Sequence, residues 1–88
     1  MKLFTIKDKV SGTFGVPFAA VNLGDAVRKV AVSYKDNPFK DDLQLFYFGD
    51  MDDYHMEYKI VEDNGVTSSF CGNVSDIVES YFSEVDNA

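Results

Sequence analysis

The sequence predicts an α+β domain: a small antiparallel sheet of four to five strands, in the order β-β-α-β-β-(β)-α, with helices packed on one face. Three observations carry this expectation. Residues 23–34 and 74–85 repeat apolar side chains at the spacing of one helical face. The remaining apolar stretches either alternate with period two or run continuously for a strand's length between turn residues. No repeat, linker or low-complexity tract interrupts the 88 residues, which are expected to form a single domain, 1–88.

Taken in order, Lys2 to Asp8 alternates, with Phe4 and Ile6 on one side, and reads as a strand. Ser11-Gly12 breaks it. Thr13 to Val21 is a second extended segment, antiparallel to the first, in which the two-residue period places Phe14, Val16, Phe18 and Ala20 on one face. Pro17 lacks an amide donor, so this strand is expected to be an edge, bulged, or broken there. Apolar residues at Leu23, Ala26, Val27, Val30, Ala31 and Tyr34 then predict a helix, capped by Asn22 with Asp25 as its capping-box partner. Its outer face carries Arg28, Lys29 and Ser33, and Lys35 suits the helix C-terminus. Asp36-Asn37-Pro38 ends it, and Phe39 is expected to tuck under the following loop.

Leu43 to Gly49 is apolar on both faces except at Gln44, the pattern of a strand in mid-sheet or against a partner. A turn is expected over 49–53 and a half-buried strand from Tyr54 to Glu62. Asn64-Gly65 marks another turn. Val66 to Cys71 is a short fifth strand, and Asn73 opens a second helix whose apolar face runs through Val74, Ile77, Val78, Tyr81, Phe82 and Val85. Its outer face, with Asp76, Glu79 and Glu84, is acidic.

Eight Phe and five Tyr supply a core for so short a chain. The one cysteine, Cys71, has no partner for an internal disulfide and reads as a small buried hydrophobe in a reducing compartment. No apolar run approaches the roughly 20 residues of a membrane span and no signal peptide opens the chain, so a soluble protein is expected, with no membrane partner. The net charge of −7 is unevenly spread: residues 1–40 hold seven cations against three carboxylates, and residues 41–88 hold one cation, Lys59, against twelve.

Few chemistries fit these residues. His55 and Glu57 alternate on one strand face but fall short of a metal's usual ligand count. Asp50, Asp52 and Asp53 lack the glycine and distal glutamate of a calcium loop. No glycine-rich phosphate cradle and no nucleophile–base signature is present. A non-enzymatic protein without cofactor or metal is expected. Nucleic-acid binding has more support, since a Phe- and Tyr-rich sheet can stack bases while cations follow phosphates. The candidates are Phe46 and Phe48, beside Tyr47, with Lys2, Lys7, Lys9, Arg28, Lys29 and Lys35. A pI near 4.4 opposes non-specific polyanion affinity.

The order of short motifs resembles one family. Residues 1–30 hold an opening Met-Lys-x-Phe strand, a Pro-Phe-Ala segment and a Gly-Asp-Ala-x-Arg helix. The loop DNPFKDDLQLFYFGDMDD follows. This succession is similar to the small nonstructural proteins of gokushoviruses, single-stranded DNA phages of the microvirus group, and covers roughly residues 1–53. Residues 54–88 differ from that family's shorter tail. The resemblance implies a DNA-binding protein of genome replication or packaging, acting in the host cell cytoplasm, and supplies no binding residues of its own. The other function class open to the sequence is an acidic protein–protein interaction module acting on a host or viral partner, through the carboxylate-rich second half. In either case a homodimer is expected, because Phe46 and Phe48 on the second sheet face need a cover that the chain can scarcely supply.

Overall fold

The computed structural model describes residues 1–52, 58–60 and 69–86. Its elements are β1 (Lys2–Asp8), β2 (Thr13–Phe14), β3 (Phe18–Ala20), α1 (Leu23–Tyr34), a 3-10 turn (Lys40–Asp42), β4 (Leu43–Met51), β5 (Tyr58–Ile60), β6 (Ser69–Asn73) and α2 (Val74–Asp86). Every pairing among the described residues is antiparallel. β1 and β4 lie side by side at the centre, β2 and β3 share the outer edge of β1, and β5 and β6 share the outer edge of β4. Both helices cover one face. The expected α+β class and its one-sided helical layer are what the chain adopts.

The core lies between that layer and the sheet. Phe4 and Ile6 of β1, Ala20 of β3 and Leu43 and Leu45 of β4 meet Ala26 and Val30 of α1 and Val74 and Val78 of α2. The two-residue period of β1 and β4 puts these strand residues on one side, and the helical period brings the others to meet them. Val27, Tyr34, Ile77 and Phe82 pack at the margin. Leu23, counted on the apolar face of α1 from its spacing, is 47% exposed.

The start of α1 follows the sequence closely. The Asn22 side chain accepts the Asp25 amide at 2.8 Å, and the Asp25 carboxylate reaches back to the Val21 amide at 3.0 Å. The helix ends at Tyr34, and Asn37, restrained before Pro38, bonds back to the Tyr34 carbonyl. Phe39 does not plug this loop. It is 65% exposed, because the 3-10 turn after it keeps its ring outside the core.

Three departures concern the sheet. The segment from Thr13 to Val21 is broken at Val16-Pro17, as the proline required, but the break also inserts one extra residue opposite β1. Phe14 pairs with Lys7, whereas Phe18 pairs with Phe4, so the register slips by one between them. A one-residue slip exchanges the two faces. Phe18 and Ala20 face the core, but Phe14 faces the other way, and Val16 is 89% exposed. The common face expected for Phe14, Val16, Phe18 and Ala20 is therefore corrected. Second, β4 does not turn at Gly49. It runs on to Met51, whose amide and carbonyl both pair with Met1. Third, β6 lies at Ser69–Asn73, and α2 starts directly after it. Asn73 donates its side-chain amide to Asp76 at 3.4 Å. Of the strand expected over Tyr54–Glu62, Tyr58–Ile60 is described. His55 and Glu57, the turn at Asn64-Gly65 and residues 66–68 lie outside the described residues.

Candidate nucleic-acid interface

The face of the sheet turned away from the helices is built from alternate residues of four strands. β1 contributes Thr5 and Lys7, β2 Phe14, β4 Gln44 and Phe46, and β6 Phe70. The register aligns them: Lys7 opposes both Phe14 and Gln44, and Phe46 opposes both Thr5 and Phe70. The rings form a row across the strands. Phe14 and Phe46 stand edge to face with centroids 5.4 Å apart, and Phe46 and Phe70 at 5.6 Å. Such pairs gain from the opposite charge of ring edge and ring face. The outer rings are half exposed, Phe14 at 50% and Phe70 at 53%, while Phe46 between them is partly covered. Beneath the row, Thr5 is buried and its hydroxyl donates to the Gly15 carbonyl at 2.9 Å, which ties the interrupted edge strand to β1. The Lys7 ammonium lies 5.5 Å from the Phe14 ring centroid.

The expected site residues separate into three groups. Lys7 and Phe46 belong to the row, and Lys9 is exposed in the β1–β2 turn next to it. Phe48 does not join the row. It is the extra residue of β4 at a bulge, where Leu3 pairs with Gly49 and Phe4 with Tyr47. The other four cations lie off this face, already engaged. Lys2 shares the Phe4 side of β1; its ammonium is 3.5 Å from the Asp50 carboxylate and 5.0 Å from the Tyr47 ring centroid. The Tyr47 hydroxyl also donates to Asp50, at 2.6 Å. That bond, with burial, pushes the Tyr47 phenol up to about 12; the same bond, with the Lys2 charge beside it, holds the Asp50 carboxyl below its usual range against the opposing effect of desolvation. Arg28 and Lys29 both bind Asp25, at 2.8 and 3.1 Å, and Lys29 also donates to the Ala19 carbonyl. The Val21 amide, then Lys29 and Arg28, hold the Asp25 carboxyl down at about 2. Lys35 lies over the Phe82 ring at 4.5 Å. α1 thus lacks the free basic face that its sequence suggested, and its cations sit on the layer opposite the aromatic row.

Phe14 and Phe70 are the site residues that sequence reasoning missed. Pro17 carried the signal for Phe14: a break in the strand implies a change of phase, which returns Phe14 to the far face. Phe70 carried none, because its face depends on where β6 pairs with β4. Cys71, next to it, is only half-buried; it is the extra residue of a second bulge, and burial pushes its thiol up.

Comparison with known proteins adds one relation. Residues 1–76 match the model of a family described as Phage ORF5 protein. No curated protein and no solved structure matches the chain. No helix among the described residues is long and apolar enough to cross a membrane.

Proposed function

Because the chain belongs to the phage ORF5 protein family, we propose that it is a non-enzymatic phage nonstructural protein that binds single-stranded DNA during viral genome replication or packaging, in the host cell cytoplasm. The observation that carries the proposal is the row Phe14–Phe46–Phe70 on the open sheet face. Every base has a π-face, so a row of rings holds single strands with little regard to sequence. The resemblance to gokushovirus nonstructural proteins points to the same ligand.

Magnitudes assign the work to the rings. Stacking contributes about 1–3 kcal/mol per base. Each phosphate contact with a single strand adds only about 0.7 to the slope of log affinity against log salt. Lys7 and Lys9 are the candidate cations beside the row, so the salt dependence is shallow and stacking dominates. Fluorescence polarisation with a labelled oligonucleotide at roughly 50 and 200 mM salt tests this, since screening changes markedly over that range. Binding with a slope of about −0.7 to −1.4 is the expected result. Absence of binding at either salt concentration removes the proposal.

Two other readings draw on particular observations. A contiguous aromatic patch is also what a homodimer covers, and the same row would then be the contact. Sedimentation equilibrium of the wild type and of Phe46→Asp measures this: a one-chain mass across the micromolar range, unchanged in the variant, excludes the dimer. The pairing of Lys2, Arg28 and Lys29 with carboxylates favours an acidic protein-interaction module. For that module, a pull-down would lose partners when Asp76, Glu79 and Glu84 are neutralised.

A further inference from the structure

The aromatic row ends at Phe70, and Phe70 also lines a cavity of about 500 Å³ on the helix side of β6. Its apolar walls include Val27 of α1 and Tyr81 of α2, and its polar groups are Asn73, Asp76 and Ser80. Few convergent polar groups on an apolar floor, within roughly 300–1,000 Å³, are the usual make-up of a small-ligand site. β6 is the outer strand on this side of β4, so a chain that crosses the row and wraps the edge of β6 meets this cavity.

We propose that the cavity is a base-recognition subsite that takes guanine at the end of a single strand lying on the row. This rests on the DNA-binding reading above. Tyr81 supplies an aromatic wall for a planar base, and Phe70, whose ring packs on Phe46 on the open face, lines the cavity where it meets the sheet edge. The charge of Asp76 selects which base. A carboxylate accepts only, and it repels phosphate, so the ligand must present donors rather than anionic oxygens. The Watson–Crick edge of guanine presents two adjacent donors, the ring N1–H and the 2-amino group, matched to the two oxygens of one carboxylate. The bond from Asn73 to Asp76 at 3.4 Å steadies that carboxylate at the rim. Thymine and cytosine each lack one of the two adjacent donors.

The test is an amide-resolved NMR titration of the full chain with the monophosphates of deoxyguanosine, deoxyinosine, deoxycytidine and thymidine. Deoxyguanosine monophosphate is expected to shift the amides of Cys71 to Ile77 and of Tyr81. Inosine lacks the 2-amino group and loses one hydrogen bond to a charged acceptor, so it is expected to bind about tenfold more weakly. Asp76→Asn is expected to abolish that difference while leaving the shifts of the apolar wall in place. Equal shifts from all four nucleotides, or none at these amides, overturn the subsite. A parallel titration with oligothymidine keeps the two proposals apart. Binding of oligothymidine on the row without any guanine preference refutes the subsite alone. A guanine response in the cavity without oligothymidine binding refutes the row and, with it, the subsite's place at the end of a bound strand.

Discussion

Replacing Phe46 with alanine removes the middle ring of the row and both of its edge-to-face contacts, at 5.4 Å to Phe14 and 5.6 Å to Phe70. Two effects follow, and they separate experimentally. The lost ring pairs, worth about 0.5–1.5 kcal/mol each, lower stability by about 1–3 kcal/mol, because Phe46 is only partly covered and its removal leaves little cavity. The lost stacking surface removes about 1–3 kcal/mol from binding, a roughly 5- to 150-fold rise in Kd. A domain of this size shifts by about 4–8 °C in Tm per kcal/mol, so a thermal melt measures the first term. Polarisation titrations at a temperature where both proteins are folded measure the second. Phe46→Leu keeps apolar area without a π-face and is expected to restore much of the Tm but not the affinity. Arg28→Gln, on the opposite layer and already bound to Asp25, is expected to change Kd less than twofold. If Phe46→Ala binds with wild-type affinity while Arg28→Gln loses tenfold, the sheet face is not the site.

Three further outcomes test the frame that holds the row. Asp25, held at about 2 against an ordinary 3.8, stabilises the fold above pH 4 and loses that contribution as pH falls toward 2. The Tm gap between wild type and Asp25→Asn should therefore be wide at pH 7 and nearly closed at pH 2; an equal gap at both would rule the linkage out. Leu45 is fully buried in the core, and Leu45→Ala should cost about 2–5 kcal/mol in urea unfolding. A loss below about 1 kcal/mol would mean that β4 is not the central strand. Thr5→Val keeps the side-chain shape and removes the bond to Gly15, for an expected cost of about 1 kcal/mol. If the edge strand is tied there, hydrogen exchange at Phe14 and Gly15 quickens in this variant while that of Leu45 does not.

The parts of this fold that were legible are those set by local period. β1, α1, β4 and α2 follow from spacing alone, and Asn22 and Pro38 marked the ends of α1 because capping and proline sterics act within three or four residues. The face of Phe14 depended on a single inserted residue at Val16-Pro17. The sequence located that break, but its effect on phase appears only once Phe14 and Phe18 are both paired against β1. The engagement of the cations divides in the same way. Asp25 stands three and four residues before Arg28 and Lys29, a spacing that favours the pairs now seen. Lys2 and Asp50 are 48 positions apart and meet only through the β1–β4 register. One of the row's three rings, Phe70, was beyond reach for that same reason. Phe46 stood out as a ring in an apolar strand, whereas Phe70 becomes its neighbour through a bulge at Cys71.

The most direct test of the central claim is to map a bound oligothymidine on the ¹⁵N-labelled protein by amide shifts. Stacking on the open face predicts the largest changes at Thr5, Lys7, Phe14, Phe46 and Phe70, with the outer face of α1 at Arg28 and Lys29 unmoved. Changes centred on Arg28 and Lys29, with the Phe46 and Phe70 amides still, would contradict it.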